Sequence, residues 1–268
     1  MPFANIGLVR VPDDIRNGDA VVLSDILPTG YFGAELARIK SGNTVAVFGC
    51  GPVGLFAIKS AFLMGASQVF AVDKVTARLE IARSFGAEII DFESEDPIEA
   101  ILELTGGIGA DRVIDAVGID ADHPHSGPAF EHEKDQVSEF DEQLKQVAPE
   151  AHPEGPVWKP GDGPGQVMNW AVEAIAKAGT MSIIGVYPET VRFFPLGKVM
   201  NKNLKINMGN CNHRRYIPML MDMIQEGEIR PQEVISHIET LTGAIDAYKA
   251  FDQRREGWVK VELLAPGI

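Results

Sequence analysis

From residue 44 onward, short runs of β-branched and aromatic residues alternate with segments whose apolar residues recur at helical spacing. TVAVF (44–48), QVFAV (68–72), residues 88–91 and RVIDA (112–116) read as strands. Residues 53–64, 77–85 and 97–104, lying between them, read as helices. After a long interruption the alternation resumes with a helix over 167–178 and strands over 180–186 and 204–208. Six strands separated by helices of this length predict a parallel, doubly wound α/β sheet. Right-handed crossovers then place helices on both faces.

Three stretches fall outside the alternation. Residues 120–165 hold eleven acidic residues against three basic, seven of the seventeen prolines and four of the six histidines. No sheet strand runs through PEAHPEGPVWKPGDGPG, because each proline removes a ladder donor. This stretch is expected to be a surface insertion with one helix near 135–146, and insertions of this length usually carry function or lack order. Residues 1–26 contain two strand-like pieces, IGLVRVP and AVVLS, without a partner helix. Residues 213–268 predict helices over 215–226 and 242–255 and a final strand over 258–264. The flanks therefore read as parts of a second domain, which divides the chain into 1–26, 27–212 and 213–268.

Composition narrows the function classes. The net charge of −14 repels phosphate backbones and anionic lipid, so nucleic acid is not an expected partner. No apolar run approaches the ~20 residues that span a bilayer, and MPFANIGLVRVPDD lacks a secretory pattern, so a cytoplasmic location is expected. Cys50 and Cys211, the two cysteines, are too few and too far apart for a disulfide framework or a cysteine-rich zinc module.

The first strand runs into Gly49-Cys50-Gly51-Pro52-Val53-Gly54, which opens the first helix. Gly49 permits the tight turn, Gly51 lets a pyrophosphate approach the backbone, and Gly54 lets helix and strand pack closely. The helix N-terminus offers free N–H groups and the positive end of its dipole to the phosphates. Asp73 ends the next strand, nineteen residues after Gly54, where a carboxylate receives the adenosine ribose hydroxyls. Loop, strand, helix and acid together predict a Rossmann dinucleotide site. Asp73 selects NAD over NADP by repelling a 2′-phosphate, although Arg78, five residues on, is basic at the same edge. Cys50 reads as a small loop filler.

These residues also carry a family resemblance. LSDILPTGYFGAE (23–35) followed by AVFGCGPVGL resembles the zinc-dependent medium-chain alcohol dehydrogenases, and within them the glutathione-independent formaldehyde dehydrogenases and dismutases. DAVG at 115–118, the long insertion after it and the closing FDQRREGWVKVEL fit the same branch. The resemblance implies a nucleotide domain joined to a GroES-like catalytic domain, of which both flanks are remnants, and a single active-site zinc. Asp25 aligns with a zinc ligand that most alcohol dehydrogenases supply as cysteine, and either anion suits zinc. An N-cap or turn role is the alternative for Asp25. Thr29 matches a threonine flanking the nicotinamide, Val53 the side chain behind its ring, and Arg78 a basic residue at the adenosine ribose. Val117, Ile184 and Val186 match contacts along the nicotinamide half. His123 matches an insertion histidine near the cofactor across a one-residue gap, with a solvated loop histidine as its alternative. Lys260 resembles a basic residue reaching the cofactor from the last strand.

The sequence departs from that pattern in two places. The cysteine and histidine zinc ligands that the family carries upstream are not present, so the chain reads as a fragment and its isolated form is expected to be inactive. Phe32 stands where the branch has histidine. In the intact family member, zinc lowers the pKa of an alcohol or aldehyde hydrate and hydride passes to NAD. The competing class is a non-catalytic NAD-binding module or subunit. A homo-oligomer, dimer or tetramer, is expected through the apolar sheet edge formed by the last two strands.

Overall fold

A computed structural model describes residues 7–134, 137–148 and 160–265. Six parallel strands make one sheet: β1 (Thr44–Phe48), β2 (Gln68–Asp73), β3 (Glu88–Asp91), β4 (Ala110–Asp115), β5 (Ile175–Ile183) and β6 (Lys205–Met208). Their order is β3-β2-β1-β4-β5-β6, so the chain reverses direction of growth between β1 and β4. In β1, Val45 and Val47 enter the core on one face, while Ala46 and Phe48 enter the core on the other. An all-apolar strand of this kind is what a sheet covered on both sides requires.

Helices α1 (Asn17–Val22) and α2 (Ile26–Leu36) precede the sheet; α3 (Pro52–Leu63), α4 (Thr76–Ser84) and α5 (Pro97–Leu104) alternate with its first strands. The AVVLS piece, expected as a strand, ends α1 at Val22 and turns through Leu23 and Ser24. Val22 and Leu23 are buried in one core with Leu27, and tertiary packing there overrides the β-branched composition. Residues 7–12 form no strand, and residues 1–6 lie outside the described residues. Close packing of α2 on α3 depends on Gly30. A Cβ there would lie 2.6 Å from Phe56 Cβ and 2.7 Å from the Val53 carbonyl oxygen.

The insertion packs more than its composition suggests. It forms two helices, α6 (Gly127–Glu133) and α7 (Val137–Val147), where one was expected, and buries Ala129, Phe140 and Val147. The proline-rich run 149–159 and residues 135–136 lie outside the described residues. Beyond that run the chain presses close to the start of the insertion: a Cβ on Gly161 would come 2.0 Å from the Ala121 carbonyl oxygen. Buried Glu133 accepts hydrogen bonds from Trp170 Nε1 (2.6 Å) and Gln166 Nε2 (2.9 Å). Burial outweighs these two bonds and pushes its carboxyl up to about 7.

Helix α8 (Gln166–Ala174) ends four residues before the expected boundary at 178. Ile175 and Ala176 are buried and apolar, as helix residues on the core face are, so the apolar pattern does not locate the end. The helix gives way directly to β5, and Ala178 takes a left-handed φ of 61° within that strand. After α9 (Leu196–Asn201) and β6, the chain forms α10 (His213–Gln225), β7 (His237–Thr240), α11 (Ala244–Asp252) and β8 (Val261–Leu264). β7 and β8 make a separate two-stranded parallel sheet, and β7 was not foreseen. The N-terminal flank packs on this C-terminal part: Val22, Leu27, Tyr216, Leu220 and Val234 share one core with the underside of the main sheet.

Candidate dinucleotide site

A cleft of about 390 Å³ opens at the carboxyl ends of β1, β2 and β4, the side on which doubly wound sheets bind ligands. Gly49, Gly51, Asp73, Arg78 and Val117 line it, joined by Lys74, Asp122, Trp170 and Arg254. Gly49 has a φ of 90°, and its N–H donates to the Val72 carbonyl (2.8 Å), which turns the chain out of β1. Pro52 and Val53 then form the first turn of α3. The glycines of the loop divide by task. A Cβ on Gly54 would lie 1.8 Å from the Gly49 carbonyl oxygen, whereas one on Gly51 would meet nothing within 4 Å. Gly54 is needed for the loop to fold; half-buried Gly51 leaves open space at the cleft.

Asp73 is 7% exposed, and its carboxylate organises the loop. Oδ2 accepts from the Cys50 N–H (2.7 Å), and Oδ1 from the N–H groups of Lys74 (2.8 Å) and Val75 (2.9 Å). A carboxylate offers about four acceptor positions, so one remains for a ribose hydroxyl. Arg78 lies beside it, with Nη1 3.8 Å from Asp73 Oδ2. Burial, reinforced by the Asp73 charge, pushes the Cys50 thiol well above its usual range, in keeping with loop filling rather than thiolate chemistry.

Lys74, Asp122 and Arg254 were not singled out from the sequence. Lys74 Nζ lies 3.0 Å from Asp122 Oδ2, and Arg254 forms an ion pair with the same carboxylate. Burial alone would raise the Asp122 carboxyl, but the Arg254 and Lys74 charges outweigh it and hold the group below its ordinary value. These residues come from just after β2, the insertion and just beyond α11, and no local pattern announces their meeting.

The second cluster stands at the start of α2. Asp25 occupies the N-cap position without capping a backbone N–H. Its Oδ1 instead accepts from Thr29 Oγ1 (2.8 Å) and faces His213 Nε2 (3.0 Å) from α10. Cys211 adjoins Thr29, and burial pushes its thiol up to about 11. One carboxylate and one imidazole are donors zinc accepts, but a catalytic zinc takes three protein ligands. Among the described residues, the one trio of His, Cys, Asp or Glu atoms close enough to share an ion lies elsewhere, so this cluster does not complete a zinc centre.

The remaining candidates are spread out. Val186 bridges Gly118 beyond the ends of β5 and β4, next to Val117. Ile184 packs on α2, 2.6 Å from where a Gly33 Cβ would stand. His123 stacks on Phe140 (5.5 Å between ring centroids) and faces His125 and Asp162. Lys260 lines a separate hollow of about 130 Å³ with Tyr248 and Leu263. Among the described residues no helix is long and apolar enough to cross a membrane.

Residues 52–126, the loop helix through the first part of the insertion, match the family model described as zinc-binding dehydrogenase. The zinc-type alcohol dehydrogenase-like protein AdhB of Bacillus subtilis (strain 168) is 35% identical over 98% of this chain and 64% of its own length. The glutathione-independent formaldehyde dehydrogenase of Pseudomonas aeruginosa (strain LESB58) is 34% identical over 94% of this chain and 60% of its own. Among solved structures, the alcohol dehydrogenase TADH from Thermus sp. ATN1 superimposes with a TM-score of 0.77 at 29% identity, covering 98% of this chain and 64% of that one. The chain thus spans 60–64% of the length of these three proteins.

Proposed function

Since this chain belongs to the zinc-dependent medium-chain alcohol dehydrogenase family, we propose that it supplies the NAD-binding part of an oxidoreductase acting on an alcohol or an aldehyde hydrate. The observation that carries this reading is the Gly49–Gly54 turn held against buried Asp73 at the mouth of a 390 Å³ cleft. Gly51 leaves backbone open where a pyrophosphate approaches, the N-terminus of α3 faces it, and Asp73 favours ribose hydroxyls over a 2′-phosphate. Bound NAD supplies the hydride acceptor. The protein's part is to hold and orient it, with Val53, Val117, Ile184 and Val186 on the nicotinamide side and Thr29 as the positioning group next to Asp25.

On this reading the flanks 1–26 and 213–268 belong with the catalytic domain, and the formaldehyde-oxidising branch is the expected neighbourhood. Titration calorimetry with NADH and NADPH tests the cofactor assignment. Binding of NADH at least about tenfold tighter than NADPH is the expected result, and equal affinities would sink it. Among the described residues Asp25 and His213 fall short of three zinc ligands, which favours a second reading, a non-catalytic NAD-binding module or subunit. NADH binding without alcohol or formaldehyde turnover supports the module; zinc-dependent turnover by this chain refutes it.

The sheet ends at β6, and exposed Val186, Met200 and Met208 stand at that end. We propose that a second copy covers this edge. Light scattering on the eluting protein should give twice the chain mass, and Met208→Lys should shift it towards one.

A further inference from the structure

The insertion holds a cluster that the dinucleotide site does not use. His123 and His125 lie just after the Asp122 that rims the cleft, and Asp162 lies just before α8. One ligand atom from each falls within 4.8 Å of the others. His125 Nε2 is 2.7 Å and His123 Nε2 3.8 Å from the same oxygen, Asp162 Oδ2.

The outward-facing nitrogens decide what the inward-facing ones can do. His123 Nδ1 is 2.8 Å from the Pro124 carbonyl oxygen, which can only accept, so Nδ1 carries the proton and Nε2 presents a lone pair towards Asp162. His125 Nδ1 is 3.5 Å from Glu93 Oε1. Each imidazole therefore faces an oxygen on its Nδ1 side, hydrogen-bonded only in His123, and the same carboxylate oxygen on its Nε2 side. Metal-bound histidines show this arrangement, in which the outer partner fixes the tautomer and the ring orientation. Glu93 is itself held by the His125 backbone N–H (3.1 Å) and Ser126 Oγ (2.8 Å). In the absence of a cation, the His123 Nε2 lone pair and the Asp162 carboxylate face each other with only the His125 Nε2 proton between the three groups.

We propose that His123 Nε2, His125 Nε2 and Asp162 Oδ2 bind one divalent transition-metal ion of the Zn²⁺ or Co²⁺ class, with water completing the coordination. Two imidazoles and one carboxylate suit that class and not Mg²⁺ or Ca²⁺, which take oxygen donors. On binding, the proton that His125 Nε2 shares with Asp162 is lost to solvent or moved to Nδ1, facing Glu93. The His125–Asp162 pair opens from 2.7 Å and the His123–Asp162 pair closes from 3.8 Å towards the roughly 3.3 Å separations of a tetrahedral site. The ion then ties residues 123–125 to residue 162 across α6 and α7, clamping the insertion at the cleft wall. This is distinct from the family zinc expected at Asp25.

The test uses the full chain after chelator treatment, titrated with Zn²⁺ by calorimetry and with Co²⁺ by its visible absorption. The expected result is one ion per chain and a rise in melting temperature of about 5 °C at saturation. His125→Ala and Asp162→Asn are expected to weaken binding by more than about tenfold and to abolish the rise, while Asp25→Ala changes neither. Asp162→Asn keeps an oxygen for the His123 backbone N–H, now 3.0 Å from Oδ1, so loss of binding in it reports the missing ligand and not lost folding. Both exchanged residues are substantially exposed, and metal-free melting of each variant checks that the fold persists. Absence of stoichiometric binding, parental affinity in both variants, or loss confined to Asp25→Ala each overturns the proposal.

Discussion

Two aspartates from this chain stand at opposite extremes of organisation. Asp73 is buried and receives three backbone N–H groups from the turn it faces. The Asp25 side chain is 66% exposed and meets one hydroxyl and one imidazole. The first is held in place by groups that lie next to it in sequence or on the adjoining strand's turn. The second is the kind of ligand that needs partners from elsewhere to fix it. The loop that receives Asp73 is thus fixed by the sheet itself, whereas among the described residues Asp25 and His213 gather no third metal donor.

The sharpest way to break the contrast is to damage the packed end. Gly54→Ala places a methyl group 1.8 Å from the Gly49 carbonyl oxygen, so a loss on the order of 3 kcal/mol in stability is expected by denaturant titration, together with loss of NADH binding. Gly51→Val, by contrast, should leave stability within about 0.5 kcal/mol yet abolish detectable NADH binding. Equal destabilisation by the two substitutions would contradict the division of tasks within the loop.

Buried Glu133, in the insertion, carries a pH dependence of its own. The Glu133 carboxyl is raised from 4.5 to about 7, so the folded state prefers it protonated. Its contribution is fully present below about pH 4.5 and is lost as pH rises through 7, with an upper bound of about 3 kcal/mol. Glu133→Gln should therefore be worth more to stability at pH 8 than at pH 5. A parent-to-variant difference in denaturation midpoint that does not change between those pH values would refute this.

Two smaller effects sharpen the comparison. Asp73→Asn should weaken NADH by about 1.5–3 kcal/mol, roughly 10- to 100-fold, and reduce the preference over NADPH, since Arg78 remains. Asp25→Asn should alter neither stability nor NADH affinity by more than about 0.5 kcal/mol, as expected for an exposed contact. Paired calorimetry on the two variants places the aspartates side by side, and a large NADH effect at Asp25 would erase the distinction.

What could be read from the sequence was what is encoded locally. The six strands, the Gly49–Gly54 turn and Asp73 follow from alternation, from glycine's conformational freedom and from a fixed spacing along one βαβ unit, so the chain itself determines them. Segment 20–24 is apolar and β-branched, and only its docking beneath the sheet makes it part of a helix turn instead of a strand. Where α8 ends, how β7 pairs with β8, and why the insertion packs are likewise outcomes of contacts between distant segments. So are the meetings of Asp122 with Arg254, Asp25 with His213, and His123 with Asp162, which join residues 132, 188 and 39 positions apart. Side-chain chemistry made each of these residues a candidate donor or acceptor. Closure of the chain on itself, driven by burial of apolar surface that no one segment holds, decided which of them face each other.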